Sequence, residues 1–304
     1  MLKLQKVSQK TLPDASLVRR NGTGEIVAQC SLWWQSVPPD PDHRLGLIGN
    51  YAATDTAAAM DLLMQACGQL AAEGCTLAVG PMNGNTWQPY RFVTERGDEP
   101  SFFLEPNHPE TWPQHFIAQG FKSLADYYST LTTDLTIRDA DSEAREQRMA
   151  DLGVTIRALR MGDFREDLGR IYEVSAQAFQ RNFLYTPIGP QEFISLYEPL
   201  KPFVQPELVL MAEQRGRLIG YLFAVPNVLQ VLIDTFIIKT VAVLPEQQFA
   251  GLGSLMVARS HEIAAARGYK RAIHALMHET NKSRRISQHY SRPMRRYSLL
   301  ARAL

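Results

Sequence analysis

Apolar positions along the chain fall into short runs of strand character and longer stretches of helical period. They form two groups, parted by residues 132–150 (TTDLTIRDADSEAREQRMA), which are polar, charged and poor in large apolar side chains. A boundary close to Asp151 predicts two units, residues 1–150 and 151–304. In the second unit, residues 154–159 read as a short strand. Past Gly162 and Asp163 a helical pattern carries Leu168, Ile171, Tyr172, Val174, Ala178 and Phe179, and a second helix is expected over residues 190–197. Strands follow at 208–212 and 218–225, about the turn Gln214-Arg215-Gly216-Arg217. Residues 235–244 (TFIIKTVAVL) are interrupted only by Lys239 and are rich in β-branched side chains, so they predict a central strand buried on both faces, ended by Pro245. After a linker over 246–250, a helix should run from near Gly251 to Arg267, with Leu252, Leu255, Met256 and Ile263 on one side and Arg259 snorkelling from it. Gly268 supplies the stop, and a strand over 271–276 comes next.

The first unit holds a fainter copy of this passage. Residues 45–79 (LGLIGNYAATDTAAAMDLLMQACGQLAAEGCTLAV) set out a strand, a break, an Ala/Leu helix ending at Gly74 and a further strand, so that Gly74 corresponds to Gly268. Residues 109–131 then offer a helix, a stop at Gly120-Phe121 and a strand. The fold class expected is α/β, with a central twisted mixed sheet flanked by helices in each unit.

A length of 304 residues suits two domains, and 45% hydrophobic with 21% charged residues describes an ordinary globular chain. Residues 1–10 lack the apolar core of a secretory signal, and no run approaches the ~18 uninterrupted apolar residues of a membrane span. Cys30, Cys67 and Cys75 form no CxxC pair, which argues against a zinc site or a disulfide framework. A cytoplasmic protein with reduced thiols, no membrane partner and no metal is expected. Charge is uneven: from Arg267 onward there are ten Lys or Arg against one acid, Glu279, leaving 22 bases and 30 acids before it. A basic tail on an acidic body suits a phosphate-rich ligand. Nucleic acid is not the expected one, because most of the tail lacks interleaved aromatics.

The chemistry concentrates in residues 241–256 (VAVLPEQQFAGLGSLM). Gly251 and Gly253 flank Leu252 where a strand has ended and a helix begins, so the backbone can approach a ligand without a Cβ in the way. The unpaired N–H groups and partial positive charge of a helix start make such a turn a site for pyrophosphate. A Walker A loop is excluded, since Ser254 follows Gly253 with no lysine, and a dinucleotide fingerprint would need glycine where Met256 stands.

Gln248, Gly251 and Gly253 instead match the Gln-or-Arg, two residues, Gly, one residue, Gly-or-Ala loop of the GNAT superfamily of N-acyltransferases. The surrounding order of strand ending in Val243-Leu244-Pro245-Glu246, loop, helix, glycine stop, strand and Asn281 agrees, so the chain resembles that family over residues 154–304. The resemblance implies acetyl-CoA as co-substrate, gripped by Val241, Ala242 and Val243 on the strand and by Gln248, Phe249, Ala250, Gly251, Leu252, Gly253 and Ser254 in the loop. It further implies that Val241 N–H stabilises the oxyanion, that Val243 pairs with the pantetheine arm, and that Asn281 bonds the same arm.

Two departures from the family bear on catalysis. Where it often places a Glu on the central strand, this chain has Ile238 and Lys239; His274 and His278 are the replacements able to relay a proton near neutral pH. The position of the tyrosine that protonates the departing thiolate holds Gln288, and Tyr290, two residues on, is the substitute. Phe183 and Tyr185 are candidates for the acceptor wall, and from the first unit Trp33, Trp34 and residues 80–87 (GPMNGNTW) are candidates to line the same cavity, with nothing in their spacing that names a substrate. The fainter copy reads TDTAAAM at residues 54–60, without the loop's glycines, and so resembles a GNAT domain that has lost its cofactor and serves as scaffold or pocket wall. The activity expected is transfer of an acetyl group to a primary amine of a small molecule or peptide, by direct attack in a ternary complex. A homodimer is compatible with this reading. The competing reading is a catalytically idle acyl-CoA sensor or interaction module, for which the missing carboxylate and displaced tyrosine argue.

Overall fold

The computed structural model describes residues 12–137, 141–280 and 291–304. The first half contains β1 (Ala15–Arg20), β2 (Ile26–Trp33), β3 (Leu45–Ala53), α1 (Thr56–Ala72), β4 (Leu77–Gly80), β5 (Phe92–Glu95), α2 (Thr111–Ala118) and β6 (Lys122–Thr132). The second contains α3 (Ser142–Asp151), β7 (Val154–Ala158), α4 (Phe164–Ala178), α5 (Pro190–Tyr197), β8 (Val209–Gln214), β9 (Arg217–Pro226), β10 (Thr235–Val243), α6 (Leu252–Ala266), β11 (Arg271–His278) and β12 (Arg292–Ala303). The periodicity of the second half thus anticipates β7 through β11 and the helices between them. The polar segment between the halves is itself helical as α3, which buries Met149 and pairs Glu146 with Arg259 of α6 at 2.6 Å.

The halves share one 12-stranded mixed sheet rather than holding one each, in the order β1-β2-β3-β4-β12-β6-β11-β10-β9-β8-β7, with β5 pairing β12 off that path. Both β3-α1-β4 and β10-α6-β11 are right-sized crossover units whose strands pair in parallel, Leu45 to Leu77 in the first and Thr235 to Arg271 in the second. Their final strands change places. β6 of the first half lies against β11, β12 of the second lies against β4, and β6 and β12 pair antiparallel at the centre.

This exchange corrects the reading of the C-terminal basic tail as a ligand-binding feature. Arg292 pairs with Glu99, Arg296 with Glu95 and Glu279, and Arg295 is buried against Glu105 at 2.5 Å. The last part of the tail is a strand, and Arg292, Arg295 and Arg296 on it meet acids mostly of the first half.

Cutting the chain at residue 151 would strip β11 of β6 and β12 of both β4 and β6, leaving long unpaired edges. Residues 12–150 and 151–304 expressed separately should aggregate, and co-expression should return a soluble complex. A monodisperse 151–304 fragment with a cooperative thermal transition would show that the exchanged strands are dispensable.

Candidate active site at the splay of β10 and β11

The parallel register of β10 and β11 runs from Thr235–Arg271 to Ile238–His274 and stops, although both strands continue. Each strand has a local cause for parting. In β10, Lys239 is an extra residue against β9, where the register shifts between Ile238 and Thr240. In β11, Leu276 takes φ 59°, its N–H donates to Ser129 Oγ at 3.1 Å, and its carbonyl accepts from Arg91 Nη1 at 3.2 Å. Ser129 and Arg91 come from the first half, so that half holds the gap open.

What faces the gap follows from the ladder on the other side of β10. Leu244 N donates to Ile219 O of β9 at 2.8 Å, and the antiparallel alternation then turns Ala242 and Thr240 toward β9 as well. Val241 and Val243 accordingly direct their N–H and C=O into the splay. The positions expected to stabilise an oxyanion and to pair with a pantetheine arm are the ones whose backbone lacks a strand neighbour on that side among the described residues.

The glycine turn lies beyond the end of β10. Gly251, at φ +90° in the left-handed region, is the N-cap of α6 with no side-chain cap, and the first helical bond is Leu255 N to Gly251 O at 3.0 Å. The N–H groups of Leu252, Gly253 and Ser254 precede that bond and belong to the unpaired first turn. Phe249 and Leu252 send their side chains into the core, so at these two positions only the main chain faces a ligand, while Gln248 and Ala250 are exposed. Two arginine side chains of α3 lie over the turn. A Cβ on Gly251 would stand 3.1 Å from Arg148 Nη2 and 3.2 Å from Arg145 Cδ, and Arg148 also donates to the Ala250 carbonyl.

The corresponding place in the first half is closed twice. Asp55 caps α1 with its own carboxylate, accepting from Ala58 N at 2.7 Å, so an anion already sits at that helix start. The gap beside β3 is filled by the chain itself: Met82 N donates to Ile48 O at 2.9 Å, and Asn50 N to Asn83 Oδ1 at 2.7 Å.

The titratable candidates separate by environment. His274 is buried beneath α6 with its Nε2 3.2 Å from that of His261; burial holds the pair near 3 and 4, so both are neutral and face the helix packing. His278 lies instead among the rings of Tyr127 and Phe183, at 4.9 and 5.8 Å between centroids. Its Nδ1 accepts from Thr280 N at 3.2 Å, which leaves Nε2 as the protonated nitrogen of the neutral ring, buried and without a hydrogen-bond partner among the described residues. Burial and then the Arg91 guanidinium keep this imidazole below its ordinary range. Of the two acceptor-wall candidates, Phe183 therefore meets His278, whereas Tyr185 packs on Trp87, whose indole N–H donates to Thr186 O at 2.8 Å. Asn281 and Tyr290 lie outside the described residues.

Three functional candidates escaped the sequence reading. Lys239 occupies the bulge where the strands part, and its Nζ donates to Leu104 O at 3.3 Å. Burial first, and the nearby Arg91 guanidinium second, push its amine down to about 7, with Glu105 pulling the other way. Arg91 stacks over Tyr90 and Tyr127, its Cζ 3.9 and 4.1 Å from the ring centroids. Glu105 is a buried carboxylate, bonded to Arg295 and to the Tyr297 hydroxyl; that hydroxyl also meets Ser129 Oγ at 2.9 Å. The strand lacks a Glu, yet a loop of the first half brings one close. Lys239 could have been singled out as the lone charge in an apolar strand; Arg91 and Glu105 sit in loops with no local signal. A groove of about 420 Å³ bordered by Met149, Ile156, Leu210 and Ile263 shares no residue with the splay.

Residues 170–290 match the Acetyltransferase (GNAT) family model. The chain is 27% identical over 222 residues to the bacterial ceramide synthase of Caulobacter vibrioides, covering 72% of this chain and 57% of that protein. It is 23% identical over 167 residues to Protein YghO of Escherichia coli, covering 54% and 42%. The chain thus spans about half the length of these curated relatives. A tandem GNAT protein from the clavulanic acid biosynthesis pathway superposes with a TM-score of 0.54 at 13% identity, over 96% of this chain and 84% of that one, a likeness of fold.

Proposed function

We propose, for a chain whose residues 170–290 belong to the GNAT acetyltransferase family, that it transfers an acyl group from acyl-CoA to the primary amine of an amphiphilic acceptor. The observation that carries this reading is the splay itself: backbone at Val241 and Val243 with no strand partner on that side among the described residues, a helix start at Gly251 with no side-chain cap, and Lys239 at the bulge where the strands part. In this reading the coenzyme's diphosphate sits at Leu252 to Ser254, its pantetheine arm pairs with Val243, and the thioester oxygen faces Val241 N–H. The acceptor enters past Phe183 and His278. The relationship to a ceramide synthase supports an acceptor with an apolar body, and the aromatic wall of Phe183, Tyr185 and Trp87 supports the same chemistry.

The reaction needs an amine with a free lone pair and an outlet for its proton. As the lone pair bonds to the carbonyl carbon, the amine N–H becomes strongly acidic, and neutral Lys239 accepts that proton. The tetrahedral intermediate then collapses: the C–S bond breaks, the electron pair leaves on sulfur, and the Lys239 ammonium returns a proton to the thiolate. Bonds and charges balance without a metal or a second reagent. We read the first half as a scaffold that supplies Arg91, Glu105 and Ser129 and binds no coenzyme of its own.

Release of free CoA should be followed with acetyl-CoA and a series of longer acyl-CoA donors, against short amines, polyamines, peptides and sphingoid-type amines. Turnover confined to long-chain or amphiphilic amines is expected, with the donor series reporting the acyl group. Tight coenzyme binding without turnover on any amine would favour the idle sensor.

A further inference from the structure

The hairpin between β9 and β10, residues 227–234 (NVLQVLID), is built inside out. Its polar groups turn inward and brace the turn. Gln230 bonds Asp234 and the Thr235 hydroxyl, both at 3.1 Å; Asn227 N donates to Thr235 O at 2.9 Å; and Asn227 Oδ1 accepts from Phe103 N at 3.0 Å. Its aliphatic groups turn outward: Leu229 is 61% exposed, Val231 108%, Leu232 81% and Ile233 43%. Apolar side chains scattered singly over a surface need no explanation, but four within five consecutive positions, held out by a hydrogen-bonded frame, do. The frame removes the usual account of a loop whose apolar residues merely fail to find the core.

The surroundings of the tip indicate what covers it. Lys270 N donates to Asp234 O at 2.8 Å, which fixes the start of β11 beside the hairpin. The exposed Lys270 and the cations Arg267, Arg271 and Arg292 ring this edge of the sheet, facing Asp234, Glu207 and Glu99. A protruding tip of a few hundred Å² is smaller than the ~800 Å² that each partner of a stable protein interface covers. It also lacks the Trp, Tyr and Arg anchors that dominate such interfaces. Immersing a few aliphatic side chains below a layer of lipid headgroups, with cations at headgroup level, asks for no such area.

We propose that the 227–234 hairpin docks the protein on a lipid bilayer by inserting Leu229, Val231 and Leu232 into the headgroup–acyl boundary. This is attachment at the surface, since among the described residues no helix is long and apolar enough to cross a membrane. The proposal stands on the hairpin and its collar, independently of acyl transfer.

Sedimentation of the full chain with vesicles of phosphatidylcholine, and of phosphatidylcholine with equal phosphatidylglycerol, tests it. The protein should partition onto both, more strongly onto the anionic mixture at low salt, and retain the apolar part of its binding when salt is raised. The triple variant Leu229→Ser, Val231→Ser, Leu232→Ser should bind about tenfold or more weakly, with a nearly unchanged melting temperature because the three side chains are mostly exposed. Lys270→Glu should weaken binding to the anionic vesicles only. Failure of the native chain to bind either vesicle would overturn the proposal, as would equal binding by the triple variant. A switch from dimer to monomer on serine substitution, with no vesicle binding by either form, would likewise overturn it and give the tip to a second copy.

Discussion

Lys239→Met should lower kcat by about 100-fold or more, the scale of a lost general base, while leaving the melting temperature no lower than that of the native chain. Methionine keeps the length of the side chain and removes an amine whose charging is opposed by burial, so a loss of activity cannot be put down to unfolding. The pH dependence carries the sign. Only the neutral amine accepts a proton, and its titration lies near 7, so native activity should climb as pH rises through about 7 and then level off. The methionine variant should lack this limb. Lys239→Arg separates two roles: arginine stays protonated across the accessible range and should be as inactive as methionine. An arginine variant with near-native kcat would mean that position 239 supplies positive charge and not a base. Measured kcat against pH for the three proteins decides between these.

Gly251→Asp should weaken CoA binding by about 100-fold or more, because it sets a carboxylate at the helix start of the second half, as Asp55 does in the first. Asp55 shows the result of such a cap: its carboxylate takes the N–H of Ala58 and presents negative charge where a phosphate would lie. At position 251 the same carboxylate would compete for the first turn of α6 and repel the diphosphate. A backbone cost of ~1–2 kcal/mol adds to this, since φ is +90° there, a region that Asp enters more readily than most residues but less readily than Gly. Gly251→Ala isolates the conformational part, and its Cβ would press on Arg148 at 3.1 Å without adding charge. Titration calorimetry with CoA should rank the native chain above Gly251→Ala and that variant above Gly251→Asp. Undiminished affinity in the aspartate variant would move the diphosphate away from this turn.

Much of the second half was legible because each element carries its own period. β10 announced itself by nine residues of mostly β-branched, apolar character, and α6 by its glycine entry, its apolar stripe and the stop at Gly268. The turn before α6 was legible for the same reason: a left-handed helix entry favours glycine, and glycine is visible in sequence. β12 was not. Its pairing with β4 and β6 depends on partners more than 150 residues away, and a run with four arginines in twelve positions reads as a solvated tail until Glu99 and Glu105 are seen across from it. Residues 227–233 are the opposite case: an apolar run in sequence is the ordinary mark of a core strand, and nothing local says that its frame faces inward.

The sequence by itself determined where strands and helices alternate, and which helix start carries a glycine turn and which a capping aspartate, because those properties depend on neighbours a few residues apart. Tertiary structure alone decided that the halves exchange their last strands. It likewise decided that Ser129 and Arg91 part β10 from β11, and that burial and the Arg91 guanidinium hold the Lys239 amine well below its ordinary range. Those properties come from burial and from charges brought together by folding, and a side chain's proton affinity is set by what surrounds it in space and not by what adjoins it along the chain.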